Sequence, residues 1–321
     1  MQRIDFIAMG CDTSIFLDSD APEAITALQQ TQAWFEEWEQ VLSRFRPTSE
    51  LAALNRFAGY WFNTSETLWD VLQAALDSAA RTAGRVTPTV LPQLLAAGYD
   101  RPFEAFKTEG AGQNTAAPNA VPAADWRAIE LNTGQRAVRL PRGTALDFGG
   151  IAKGWAAEKT AQRLVHLGGV LVDAGGDMAA RGRRIDDGAW PIGISDPRTG
   201  DADENALLDI ILIHDCGVAT SGRDYRRWQH HGRAQHHIID PHTGQPADTD
   251  VLSATVIAAD AAAAETAAKQ VLLLGSDAGL CWIDAQPGAA ALLVTNDGAI
   301  RTSAAFDRYT ERIEAPAIDA A

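Results

Sequence analysis

Three cysteines in 321 residues are too few and too scattered for a disulfide framework. Cys11, Cys216 and Cys281 cannot all pair, and none lies in a CxxC or Cys/His ligand spacing, which argues against structural zinc. This usage suits a reducing cytosol, so a cytoplasmic location is expected. Basic side chains are scarce as well: 27 Lys and Arg stand against 42 Asp and Glu, a formal charge of −15. Such a surface repels phosphate backbones and anionic headgroups, which excludes nucleic acid and membrane surfaces as expected partners. A small phosphate ligand survives that exclusion, because backbone N–H groups and one or two local cations hold it. Long apolar runs are missing too. The longest helical one is interrupted by Glu265 and Lys269, so no membrane span is expected. The N-terminus, MQRIDFIAMGCDTSIFL, carries Asp5 in its first apolar stretch, and Ile4–Leu17 reads as a strand and not as a leader. Also absent are GxxxxGK(S/T), GxGxxG and GxSxG, which removes the P-loop, the dinucleotide fingerprint and the hydrolase elbow.

What is present is an ordinary globular composition, 46% hydrophobic and 21% charged, enough for one large domain or two lobes around a cleft. Asp20, Pro22 and Glu23 open a helix running to about Leu42, and a second runs from Ser65 to about Thr82, closed by Gly84. Strands are expected at 129–131, 137–140, 170–172, 190–194, 206–213, 251–257 and 290–295, with helices at 154–166 and 261–274. This order predicts an α+β fold, with mixed, largely antiparallel sheets flanked by helices. Residues 110–124, GAGQNTAAPNAVPAA, lack core-forming side chains and read as an exposed, flexible insert. There is no internal repeat.

Four segments break the apolar pattern. In ALDFGGIAKGWAAEKTAQRL (145–164) a strand ends, two glycines follow, and a helix begins beside Lys153, which is the recipe for a phosphate site or, more simply, a glycine-packed strand–turn–helix. LVDAGGDMAARG (171–182) sets Gly175 and Gly176 between Asp173 and Asp177; a tight turn alone would look the same. GVATSGRDYRRW and HHIIDPHTGQP (217–246) gather Thr220, Ser221, His237, Asp240 and Thr243 around two glycine turns. In AETAAKQVLLLG (264–275), Glu265 and Lys269 are an i,i+4 pair in the favourable order, equally readable as a solvated ion pair.

Taken in order, these segments resemble the ApbE-like FAD:protein FMN transferase family over nearly the whole chain. The resemblance is carried by Met9-Gly10, Ser43-Arg44-Phe45, Ser49-Glu50-Leu51, Leu54-Asn55, Gly84 and Thr87-Pro88-Thr89-Val90. It continues through Leu146-Asp147 to Lys153-Gly154, Gly175-Gly176-Asp177, Ala219-Thr220-Ser221-Gly222 with Tyr225, His237-Ile238-Ile239-Asp240-Pro241 and Thr243-Gly244. It implies a cleft between lobes that holds FAD through Met9, Ser43, Phe45, Asn55, Thr87, Thr89, Asp147, Lys153, Gly175, Gly176, Asp177, Ser221, Tyr225, His237, Ile238 and Thr243. It also implies magnesium on the pyrophosphate, transfer of FMN to a Thr or Ser hydroxyl of a partner flavoprotein, and release of AMP. His237 corresponds to the general base, with Asp240 and Lys269 beside it in the catalytic set. An FAD-binding protein or FAD hydrolase giving FMN and AMP without a protein acceptor is the alternative, and a pure interaction module a third reading.

The chain departs from the family pattern at several positions, its metal corner among them. The family helix reads A-D-x-x-x-T where this chain has Glu265 and Lys269. Cys11 replaces a threonine, Thr87 an aspartate, and Glu158 an aspartate. An ammonium cannot coordinate a metal, so Lys269 is expected either to supply charge directly to the pyrophosphate or to pair with Glu265, weakening or replacing metal dependence. Should a metal bind, Glu265 and a backbone carbonyl near Gly150 are the expected ligands.

Overall fold

Met9 and Gly10 turn the first apolar stretch back on itself. Both adopt left-handed conformations, with φ of 51° and 70°, the two-residue turn whose twist matches a hairpin. Ile4–Leu17 is therefore not one strand but two, β1 (Gln2–Ala8) and β2 (Cys11–Asp18), paired antiparallel with Ala8 opposite Cys11. The computed structural model describes residues 1–108, 121–199, 206–224 and 226–310. Residues 110–120 of the expected insert, and Tyr225, lie outside them.

An eight-stranded sheet organises these residues. Its further strands are β3 (Gly169–Ala174), β4 (Asp177–Arg181), β5 (Gly217–Gly222), β6 (Val251–Ala258), β7 (Ala290–Thr295) and β8 (Ile300–Thr302). Their order across the sheet is their order along the chain, and every neighbouring pair is antiparallel. Five helices matter for the site and its support: α1 (Ala24–Leu42), α2 (Glu66–Arg81), α3 (Ala152–Leu164), α4 (Ala261–Leu274) and α5 (Ser276–Asp284). The α+β expectation agrees with this arrangement.

The two faces of the sheet are covered differently. Alternate residues of β2 and β3, Ile15, Leu17, Val170 and Val172, bury against Phe35 and Trp38 of α1 and Ala156, Ala157 and Ala161 of α3. Further along, Ala254, Val256, Ala291 and Leu293 meet Ala264, Ala268 and Val271 of α4 and Ile283 of α5. The opposite face, with Val218, Ile257, Leu292 and Val294, is covered by the hairpin Trp190–Ser195/Leu207–Ile213 through Trp190, Ile192, Ile194, Ile211 and Ile213. Helices on one side and a hairpin on the other thus solve the same burial problem for a sheet with two apolar faces. A separate aromatic group, Leu94, Ala97, Tyr99, Trp228 and Ile239, joins the 91–99 region to the 227–240 region, where the Trp228 indole donates to Ala97 O at 2.7 Å.

The end of the expected insert is tied down. The Gln93 amide donates to Val121 O and Pro122 O at 3.0 and 3.1 Å. Thr89 donates to Ala124 O at 2.7 Å, and Ala123 N–H to Pro241 O at 2.8 Å.

Candidate active site

Where α3 begins it crosses α4, and Gly154 is the point of contact. A Cβ there would stand 2.6 Å from Ala261 O, so only glycine lets the helices come this close. The Gly154 N–H donates to Glu265 Oε2 at 2.9 Å. Lys269, one turn along α4, donates to the other oxygen of Glu265 at 3.0 Å. Its aliphatic stem covers Gly150, whose added Cβ would meet Lys269 Cε at 3.4 Å. Of the two roles expected for Lys269, pairing with Glu265 is therefore the one seen. Lys153, in the first turn of α3, hydrogen-bonds Asp177 Oδ2 and lies 3.8 Å from Glu265 Oε1.

The β3–β4 turn brings Asp177 in. Gly175 and Gly176 take φ of 63° and 87°; a side chain at Gly175 would collide with Cys11, 2.6 Å away. The Gly176 N–H donates to Asp173 at 2.7 Å. Burial, with Glu265 nearby, pushes the Asp177 carboxyl up to about 7, against the pull of Lys153 and Lys269. Burial alone would raise Glu265 too, but Lys269, Lys153 and the Gly154 N–H outweigh it and hold that carboxyl below its ordinary value. Lys153 is likewise opposed by burial, yet Asp177 and Glu265 keep it firmly protonated. The result is two carboxylates and two ammonium groups gathered where α3 and α4 cross beside the β3–β4 turn. Burial also raises the Cys11 thiol.

His237 completes this side. Burial first, then the positive charges of Arg226, Lys269, His236 and Lys153, hold its imidazole well below the ordinary 6.5. Its Nδ1 is buried with no hydrogen-bond partner among the described residues. A neutral imidazole keeps one nitrogen lone pair on which it can take up a proton. Its neighbour His236 instead turns inward, with Nε2 3.0 Å from Ala247 O, and burial lowers it to about 4.

Several expected site residues serve the scaffold around this centre. Asn55 clamps the chain before Asp147, donating to Leu146 O at 2.9 Å and accepting from Leu146 N–H at 2.8 Å. Asp147 pairs with Arg44 at 2.7 Å and accepts from Gly149 N–H at 2.7 Å. Thr87 and Thr89 bond to each other through their hydroxyls at 3.0 Å. Ser43 accepts from Phe45 N–H at 3.3 Å, and the Met9 N–H donates to Glu39 at 2.9 Å. Ser221 is buried in β5 opposite Ala254, and Ile238 is buried in the core beneath α4. Asp240 Oδ1 and the Thr243 hydroxyl bond within their own turn, accepting from His242 N–H at 2.9 Å and Gln245 N–H at 3.2 Å. No hydrogen bond among the described residues brings either side chain to the lysine–carboxylate group.

Three residues outside the expected set belong to the surroundings of this site. Arg44 lies over the rings of Phe45 and Tyr99, 4.0 and 4.6 Å from their centroids, with Nη1 donating to Tyr99 O at 2.8 Å. Arg226 reaches Gly10 O at 3.5 Å, and its charge acts on Cys11, Tyr99 and His237. The signal for Arg44 stood in the Ser43-Arg44-Phe45 motif; Tyr99 and Arg226 had none.

A divalent cation does not fit the residues as they stand. Magnesium asks for about six oxygen ligands, whereas both oxygens of Glu265 are taken by Lys269 and Gly154, and Asp177 Oδ2 is taken by Lys153. Among the described residues no three His, Cys, Asp or Glu side chains form a group that could hold a metal.

A helix start, a left-handed glycine turn and paired ammonium groups beside a neutral imidazole are elements from which phosphate sites are built. The chain's relatives make this specific. Residues 9–293 match the ApbE family model, and the chain belongs to that family. A Treponema pallidum protein named FAD:protein FMN transferase is 32% identical, over 92% of this chain and 84% of its own length. A Vibrio cholerae protein of the same name is 29% identical, over 82% of this chain and 78% of its own. Among solved structures, an ApbE protein from Thermotoga maritima superposes with a TM-score of 0.84 at 26% identity, covering 97% of this chain and 99% of that one. The apo flavinyl transferase ApbE of Pseudomonas stutzeri shares the fold, with a TM-score of 0.78 at 23% identity over 96% of each chain.

Proposed function

We propose that this chain transfers the FMN half of FAD to a Ser or Thr hydroxyl of a partner protein. The observation that carries the chemistry is His237, a neutral imidazole with an unpartnered nitrogen, set in the field of Lys153, Lys269 and Arg226. The hydroxyl oxygen attacks the phosphorus on the FMN side of the pyrophosphate, and His237 takes the hydroxyl proton. The bond from that phosphorus to the bridging oxygen breaks, and AMP leaves with the oxygen. Lys153 and Lys269 offset the charge that gathers on the phosphoryl oxygens, which is most of what such a transfer asks of a protein. The names of the relatives support both the donor and the protein acceptor. We place the reaction in the cytoplasm. Three unpaired cysteines accord with that location, and no described helix is long and apolar enough to cross a membrane.

The test is incubation with FAD and a candidate acceptor, with mass spectrometry for added FMN and a parallel assay for AMP. Labelling should fall by about 10²–10⁴-fold in His237→Asn, the range lost with a general base, while FAD binding persists. AMP released without labelling, or a variant that labels like the wild type, refutes the reading.

A further inference from the structure

We propose that Lys269 is a resident counter-charge, so that FAD is held at its pyrophosphate by the ammonium groups of Lys153 and Lys269 and needs no divalent cation there. The inference rests on FAD being the substrate. Its foundation is which parts of the four-residue group face the outside. The carboxylates are shut away, Asp177 at 2% and Glu265 at 0% side-chain exposure, while Lys153 and Lys269 keep 17% and 15%. An arriving ion therefore meets ammonium before it meets carboxylate. A dication is repelled at that point, and a phosphate is attracted.

The bonding inside the group points the same way. Glu265 has one oxygen on the Lys269 ammonium and the other on the Gly154 N–H, leaving no carboxylate oxygen of α4 for a metal. Lys269 also lies across Gly150, the backbone from which the other expected ligand would come. Each ammonium has three donors; Lys269 shows one side-chain bond, to Glu265, so further N–H groups are available to a ligand oxygen. Two cations next to an imidazole that is itself uncharged give the pyrophosphate a positive partner without adding a proton to the base.

The measurement is FAD affinity of the full chain by fluorescence titration, in excess chelator and again in excess magnesium. Manganese binding is followed by electron paramagnetic resonance. Wild-type affinity should differ by less than about fivefold between the two buffers, with no stoichiometric manganese site. Lys269→Thr should lose about tenfold in chelator, and Lys269→Gln, which keeps an N–H for Glu265 if threonine compromises folding, should lose a similar factor. A magnesium-dependent gain larger than about fivefold in the wild type, one tightly bound manganese per chain, or variants that bind FAD undiminished in chelator would each overturn the proposal. Failure of the transferase reading has a different signature: FAD bound without magnesium, but no acceptor labelled in either buffer. A chain that binds no FAD in either buffer sinks both.

Discussion

Replacing Gly154 by alanine inserts one methyl group where α3 and α4 touch. The new Cβ would stand 2.6 Å from Ala261 O and 3.0 Å from Glu265 Oε2, the former about 0.8 Å inside ordinary contact. The obstacle is backbone, so the helices must part. Overpacking of this kind costs about 2–3 kcal/mol, and stretching the 2.9 Å bond from Gly154 N–H to Glu265 costs about 1.5 kcal/mol more. Alanine's better helix propensity returns about 1 kcal/mol, leaving about 3 kcal/mol of net loss. Unfolding entropy of about 2.1 cal/mol/K per residue over 321 residues converts this to a fall in Tm of about 4–5 °C. Differential scanning calorimetry measures it directly, with Gly176→Ala as the comparison. A Cβ at Gly176 meets nothing within 4 Å, so only the left-handed φ is strained, at about 1–2 kcal/mol. If Gly154→Ala melts within about 1 °C of the wild type, the helix crossing is not tight. The account of how Glu265 is held then fails with it.

Two further outcomes follow from the charges described. Glu158 takes Arg181 through two 2.8 Å bonds, fastening α3 to β4; Glu158→Ala leaves that guanidinium only the carbonyls of Ala180 and Ala259 and should cost about 2 kcal/mol, read from urea midpoints, whereas no loss would mean the pair is idle. The two histidines give opposite-looking pH behaviour. His237 is held well below 6.5, so the base stays unprotonated and the transfer rate should not fall through a histidine titration between about pH 7.5 and about pH 6; a drop centred near 6.5 contradicts this. His236 is neutral in the fold down to about 4 but takes a proton below 6.5 when unfolded. The unfolded state therefore binds more protons in that window, and stability declines as pH falls from 6.5 toward 4. His236→Gln should remove its share of that slope and leave the share of His237, which is also held below 6.5 in the fold.

The sequence made some of this legible and hid the rest for physical reasons. Helix α4 was readable end to end, because Asp260 caps it, an apolar run fills it and Gly275 stops it. Ser65 likewise marked the start of α2 by accepting from Leu68 N–H. Strands β4 and β5 were not read, since Asp177–Arg181 and Gly217–Gly222 are small or polar and resemble turn motifs; they are strands because neighbours on both sides supply hydrogen bonds. Helix α5 follows α4 across a single glycine and carries too little pattern to announce itself. At the site, the order of the motifs was visible but not their pairing. Lys153 and Asp177 are 24 residues apart and meet only because α3 and the β3–β4 turn lie against one another. Asp240 and Thr243 looked like chemistry because hydroxyl and carboxylate cluster there, and in the fold each makes a hydrogen bond within its own turn.

The sheet's strand order has a consequence for how the molecule comes into being. Because each strand lies beside the one made before it, a growing chain can extend the sheet from one edge without threading a segment between strands already joined. The functional groups arrive on a different schedule. Lys153 and Asp177 are in place by mid-chain, whereas His237, Glu265 and Lys269 are synthesised with the last third. A nascent chain thus holds a substantial sheet before it holds a working centre, and the ammonium of Lys153 acquires its second carboxylate only when α4 docks.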